Sequence, residues 1–208
     1  RILPLISDRT RQANSVQIIK DIEHLVKYTG YVCDENQPAH SQKDNNIYVS
    51  TGLNKDEAVS VFKKIAEIAH HYPDHKFIMP IANKYNSMGG RKNKNIYLVE
   101  YVPELRKKLT TCAAYITYGG YNATVEILKG QIPSIVVPRQ SGKKMEQFIR
   151  AFTFEPYDFY KVLTLQEFNN IKSTLDKILN GYKPKPFEFN LNGASNTAKF
   201  LLEMHNGL

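Results

Sequence analysis

The sequence predicts an α/β protein, Rossmann-like and doubly wound, with a mostly parallel sheet of six strands. Three observations carry that expectation. Short apolar runs rich in β-branched residues recur without polar alternation, as strands buried on both faces do. Amphipathic helical stretches separate those runs, so strand follows strand by crossover rather than by hairpin. Glycine-bearing turns follow two of the runs, at the carboxyl ends where such sheets take their ligands.

Residues 1–46 read as an entry helix and linker, either an appendage to the main domain or the tail of an N-terminal domain that is not in this sequence. A helical stripe of Val16, Ile18, Ile19, Ile22, Leu25 and Val26 runs from about Ser15 to Lys27. Tyr28–Val32 is expected to be extended, and DENQPAHSQKDNN to be a polar linker. The main domain is expected at 47–181. Its first strand is IYVS, closed by Thr51-Gly52. Asn54 then suits a helix N-cap, and Ala58, Val61, Phe62, Ile65, Ile68 and Ala69 share one helical face.

KFIM at Lys76–Met79 and IYLV at Ile96–Val99 are the next strands, joined by residues 80–95, which show no helical stripe. Pro103–Leu109 reads as a short helix with proline at its first position. Ala114–Thr117, Ser134–Val137 and Lys161–Leu163 complete the sheet. Thr164 and Glu167 have capping-box spacing before a helix faced by Phe168, Ile171, Leu175 and Ile178 and stopped by Gly181. Residues 182–208 are expected to be a stiff linker and a helix packing back, with Ala194, Ala198, Leu201 and Leu202 as its buried face.

Composition narrows the class without choosing a partner. The 208 residues carry a net charge of +8, which suits nucleic acid, an anionic membrane face or phosphate-bearing ligands. The basic residues are scattered, the one dense cluster being Arg91, Lys92 and Lys94 beside Gly89-Gly90. No apolar run approaches the ~20 residues of a membrane span, and RILPLISDRTRQ does not read as a secretory signal. Cys33 and Cys112 lack CxxC spacing, so a reduced, cytoplasmic setting is expected. His70, His71 and His75 show neither His-x-His nor HExxH spacing, and no metal is expected.

Three loops at the carboxyl edge are candidates for chemistry. Ser50-Thr51-Gly52-Leu53 is neither a P-loop nor a GxGxxG fingerprint, and is either a plain turn or a close backbone approach to a ligand. In Tyr118-Gly119-Gly120-Tyr121-Asn122-Ala123-Thr124, paired glycines lead into a helix that Asn122 could cap. Helix N–H groups there can bind phosphate without a lysine. Glu126, read as a first-turn residue, could accept hydrogen bonds from ribose or merely offset the dipole. Pro138-Arg139-Gln140-Ser141-Gly142 leads into Glu146 and Gln147, which could grip sugar hydroxyls or begin a solvated helix.

The stretch YITYGGYNATVEILKGQIPSIVVP followed by EQFIRA, with YTGYV, IYVSTG and YLVEYVPEL upstream, resembles the C-terminal, donor-binding domain of GT-B glycosyltransferases. The likeness is to the branch of MurG-type N-acetylglucosaminyltransferases and related bacterial transferases, over roughly residues 28–180. It implies that Gly119, Gly120, Tyr121, Asn122, Ala123 and Thr124 hold the donor diphosphate, with Thr51 and Gly52 closing over it. Glu126 would take the ribose, and the backbone at Tyr101 and Val102 the base. Glu146, Gln147 and Arg139 would contact the transferred sugar.

The function so implied is the donor half of an inverting, metal-independent glycosyltransferase, binding a UDP-sugar. Its acceptor, lipid-linked in related enzymes, would be held by the N-terminal domain or a partner subunit at the cytoplasmic membrane face. No nucleic acid partner or cofactor is implied. The alternatives are a sugar-nucleotide-binding subunit working with a separate acceptor-binding protein, and half of a nucleotide-sugar epimerase.

Overall fold

The computed structural model describes residues 25–33, 41–42, 44–50, 55–80, 93–139, 146–181 and 190–207. Strands β1 (Asn46–Ser50), β2 (Lys76–Pro80), β3 (Ile96–Val99), β4 (Ala114–Thr117), β5 (Ser134–Val136) and β6 (Tyr160–Val162) form one parallel sheet in the order β3-β2-β1-β4-β5-β6. The described helices are α1 (Lys55–Ile68), α2 (Leu105–Leu109), α3 (Tyr121–Gly130), α4 (Glu146–Phe154), α5 (Ile171–Leu179) and α6 (Gly193–Asn206).

Strand pleating sorts the side chains into two cores. Ile47, Val49, Phe77, Met79, Ala114, Ile116 and Ile135 point to one face and are covered by Val61, Phe62 and Ile65 of α1 and Ile171, Leu175 and Ile178 of α5. Tyr48, Tyr115, Val136 and Tyr160 point to the other, where Leu109 of α2, Ile127 and Leu128 of α3, and Ala151 and Phe154 of α4 cover them. Both faces of β4 and β5 are therefore dry, which is why these strands read as continuous apolar runs. β3 forms one edge of the sheet, and its Tyr97 and Leu98 stay 44% and 52% exposed.

Polar side chains close the connections. Asn95 Nδ2 donates to the carbonyls of Ala69, Tyr72 and His75, tying the turn before β2 to the turn before β3. The Tyr72 hydroxyl donates to Asp176 Oδ1 at 2.7 Å and so joins the end of α1 to α5. Asp44 accepts from the Asn46 N–H and the Thr111 hydroxyl, pinning the amino edge between β1 and β4.

Four expectations need adjustment. Pro103 does not begin a helix, because Glu104 enters the left-handed region (φ 52°) and α2 starts at Leu105. The Thr164–Glu167 box forms, with the Glu167 N–H on the Thr164 hydroxyl at 3.2 Å and Glu167 Oε2 on the Thr164 N–H at 3.1 Å. It closes a turn, however, and a 3-10 turn at Phe168–Asn170 intervenes before α5. Tyr31 is 1% exposed and belongs to the second core, so residues 29–32 are built into the domain. Finally, the expected face of α6 is not buried: Ala194 and Ala198 are exposed, and Leu201 and Leu202 are 50% and 61% exposed. Among the described residues its beginning is docked, through Gly193 N–H on Tyr31 O and Asn196 Nδ2 on Thr29 O, and further along Lys27 Nζ lies 6.0 Å over the Phe200 ring. Amphipathic spacing marks a face without saying what lies against it. The Ser15–Lys27 stripe before Leu25, the Asn54 cap and the 182–189 linker lie outside the described residues.

Candidate functional site

The strand order reverses between β1 and β4. From β1 the chain moves outward to β2 and β3, crosses back through α2, and then moves outward the other way through β5 and β6. Loops leaving β1 and β4 thus diverge to opposite faces and leave a crevice at the carboxyl edge. The glycine pair sits at that crevice, directly after β4.

Gly119 is required by its surroundings, and Gly120 is closely approached by one side-chain end. Gly119 has φ 72°, and a Cβ there would lie 2.6 Å from Val136 Cγ1 in β5. A Cβ on Gly120 would lie 2.6 Å from the Tyr118 hydroxyl, whose ring folds over the loop. Gly120, not Asn122, is the N-cap of α3: it is extended (φ −59°, ψ 159°), and its carbonyl accepts from the Thr124 N–H at 2.9 Å. Asn122 is already inside the helix and exposed. The N–H groups of Tyr121, Asn122 and Ala123 meet no acceptor among the described residues, as the opening of a helix dictates. Three donors and the positive dipole end therefore face the crevice, an arrangement suited to an anion.

Thr124 supports this loop from beneath. It is fully buried, and its hydroxyl donates to Gly119 O at 3.3 Å. Tyr121 is half-buried, accepts the Val32 N–H on its hydroxyl at 3.1 Å, and stacks on Tyr31 with ring centroids 6.2 Å apart. Burial raises its hydroxyl pKa. Glu126 is the sixth residue of α3, in the second turn instead of the first, and its side chain is 17% exposed. Its Oε1 accepts from Arg106 Nε at 2.7 Å.

The remaining expected residues are distributed around the crevice. Tyr101 is 74% exposed while Val102 is buried, in the loop between β3 and α2. Arg139 follows β5 and is exposed. Glu146 opens α4, and its side chain, like Thr51 and Gly52, lies outside what is described. Gln147 has a buried Oε1 without a hydrogen-bond partner among the described residues.

Other residues were not singled out from the sequence. The Tyr115 hydroxyl reaches from β4 to within 2.8 Å of Ser50 Oγ at the end of β1, so the two paired strands are also tied by side chains at the crevice floor. Burial raises the Tyr115 pKa, and the nearby Glu126 charge adds to this. Arg150 is 6% exposed, with its guanidinium 5.8 Å from the Tyr121 ring centroid. Its signal was available: it stands three residues after Gln147 in EQFIRA and shares that helical face. Arg106 gave no such signal, because its link to Glu126 crosses between helices.

A cavity of about 360 Å³ lies on the second face, lined by Tyr48, Ile78, Tyr97, Tyr101, Val102 and Lys108 among others. Asn46 and Lys76 also line it, and they begin their strands, so it runs from the Tyr101–Val102 loop away from the carboxyl edge. It is not the crevice over Gly119–Gly120. Among the described residues no helix is long and apolar enough to cross a membrane.

Comparison with known proteins agrees with this fold. No curated protein sequence matches the chain. The glycotransferase of kitacinnamycin superimposes with a TM-score of 0.64 at 15% identity, over 96% of this chain and 53% of that one. The calicheamicin glycosyltransferase CalG4 gives 0.58 at 15% identity, over 95% and 51%. MurG of Acinetobacter baumannii gives 0.57 at 11% identity, over 79% and 51%. The chain thus spans about half the length of these solved structures and shares their GT-B fold. The profile of the Glycosyltransferase family 28 C-terminal domain matches residues 32–203, and the chain belongs to that family.

Proposed function

We propose that this chain is the donor-binding half of an inverting, metal-independent glycosyltransferase and that it holds a nucleotide-sugar, a UDP-sugar in this reading. The observation that carries the proposal is the opening of α3: three N–H donors without acceptors among the described residues, presented by Gly119 and Gly120 at the switch between β1 and β4. A diphosphate there would be neutralised by backbone donors and the helix dipole. Glu126 would receive the ribose hydroxyls, Tyr101 and Val102 would border the base, and Arg139, Glu146 and Gln147 would reach the sugar. Thr124 would act through the loop it braces. Thr51 and Gly52 would close over the phosphates from the β1 side.

The same donors serve the reaction. An acceptor oxygen attacks the anomeric carbon from the face opposite the diphosphate, and the bond to the diphosphate breaks with its electron pair leaving on phosphate oxygen. Charge growing on that oxygen is what the α3 N–H groups stabilise. The acceptor and the base that takes its proton belong to an N-terminal domain or partner subunit. A lipid-linked acceptor on the cytoplasmic membrane face is consistent with the +8 charge.

Thermal unfolding with UDP, GDP, dTDP and their sugars tests the proposal. A ligand at ~100 times its dissociation constant adds about 2.7 kcal/mol to the folded state. Stabilisation by one nucleoside diphosphate series is expected; its absence with every one would sink the donor-site reading. Hydrogen bonds to a charged group contribute about 1.5–3 kcal/mol, so Glu126→Ala should weaken that binding ~10- to 100-fold. Unchanged affinity would remove Glu126 from the site.

A further inference from the structure

We infer that Arg106 is a positioning residue for the nucleoside part of the donor, acting through Glu126; this rests on the donor-site reading above. Glu126 projects from the second turn of α3, the sixth of its ten residues, with its side chain 17% exposed. A carboxylate on a helix surface ordinarily samples several rotamers. Here Arg106 Nε, on the neighbouring α2, holds Oε1 at 2.7 Å. No other described residue is hydrogen-bonded to this carboxylate, so Oε2 remains available for a hydroxyl. A ribose presents two adjacent hydroxyls, and a carboxylate fixed in one orientation can accept both. A freely rotating one must first be ordered, and that cost falls on binding.

Local structure aims Arg106 at this task. It is the second residue of α2, and α2 is the crossover that carries the chain from β3 back to β4 over the switch point. The chain enters α2 through Glu104, held at φ 52° and ψ 37°, an unusual conformation for a residue with a side chain. The left-handed step turns the chain between Val102 and Arg106. The loop that would border the base and the arginine that orients the ribose carboxylate are therefore set by one backbone reversal. An exposed ion pair of this kind contributes little to folding by itself. The half-exposed guanidinium is thus better explained by what it does for Glu126 than by stability.

The test compares UDP and GDP with their 2′-deoxy counterparts by titration calorimetry on the chain, Arg106→Ala, Glu126→Ala and the double variant. The wild type should prefer the ribonucleotide, and Arg106→Ala should lower that preference about three- to tenfold, toward the Glu126→Ala value. In the Glu126→Ala background, Arg106→Ala should have no further effect. Arg106→Gln serves as a second variant if alanine disturbs the fold, and far-UV circular dichroism verifies both. An unchanged ribo-to-deoxy ratio in the arginine variants, with wild-type preference intact, overturns the positioning role alone. An equal loss from Arg106→Ala with and without Glu126 also overturns it, since Arg106 would then act independently. If the wild type binds none of the four nucleotides, the donor-site reading fails and this inference with it.

Discussion

Replacing Gly119 by alanine is the sharpest structural test of the crevice. Two separate penalties apply. An L-residue at φ 72° pays about 1–2 kcal/mol for the left-handed conformation. The added methyl would also start 2.6 Å from Val136 Cγ1, well inside contact distance. Val136 is fully buried in β5, bonded in register to both β4 and β6, so it has nowhere to retreat. Overpacking of a filled core costs about 1–3 kcal/mol. The total is roughly 2–5 kcal/mol, a large share of the ~5–15 kcal/mol stability of an ordinary domain. For a chain of this size each 1 kcal/mol moves the melting point by about 2–4 °C, so a fall of at least ~4 °C is expected.

Gly120→Ala supplies the internal comparison. Its φ of −59° suits any residue, and the obstacle is the end of the Tyr118 side chain, which can swing aside. Thermal denaturation followed by circular dichroism should therefore rank Gly119→Ala clearly below Gly120→Ala, with wild type above both. Shaving Val136 to alanine should relieve the overpacking part of the Gly119→Ala penalty but not the dihedral part, leaving a coupling that a double-mutant cycle would read. If Gly119→Ala melts within about 1 °C of wild type, both the φ and the contact reasoning are refuted.

Other expectations follow from single residues. Asn95→Ala removes one donor from each of three carbonyls and should lower the urea-derived stability by about 1–3 kcal/mol; a change inside experimental error would show that water replaces the amide. Glu104→Gly removes left-handed strain at an exposed position and should raise the melting point, by an amount equivalent to about 1 kcal/mol. Acid should destabilise the fold in two ranges. Lys172 and Tyr72 hold Asp176 below its usual 3.8, so its contribution is present at neutral pH and lost as pH falls below that value. Burial holds His75 below 6.5, so the unfolded chain takes up that proton first and stability declines as pH falls through 6.5. His75→Gln should flatten the upper limb and Tyr72→Phe the lower one, both read by denaturation across pH.

β4 and β5 were legible because each is dry on both faces: they read as unbroken apolar runs and appear within a residue of where they were expected. Gly119 was legible because its φ and its contact with Val136 exclude side chains, a constraint that acts at the level of residue type. What escaped was contact between elements. Asn122 looked like a cap because asparagine often is one, whereas the extended backbone at Gly120 started the helix two residues earlier. The α6 stripe was visible, but its partner surface was not, and most of that stripe is exposed. Arg106–Glu126 and Tyr115–Ser50 link residues 20 and 65 positions apart through the tertiary fold, beyond any periodicity.

These two links explain why the crevice can be rigid although loops build it. β1 and β4 are paired as far as Ser50 and Thr117, at the edge where the ligand would sit. Tyr115 adds a side-chain tie at that level by reaching Ser50, from the last strand before the glycine turn to the residue before Thr51. Arg106 does the same one layer out, joining the crossover helix to α3. Thr124 fixes the turn from within. Each tie involves a side chain on a regular element, so the three α3 donors are held by strands and helices instead of by the loop itself. Preorganised donors of that kind are what stabilise a leaving diphosphate without reorganisation. Tyr115→Phe should accordingly leave the fold intact, since the ring stays in the core, yet weaken nucleotide binding through a looser crevice. A variant that binds UDP or GDP as tightly as wild type would show that the strand tie is not part of the site.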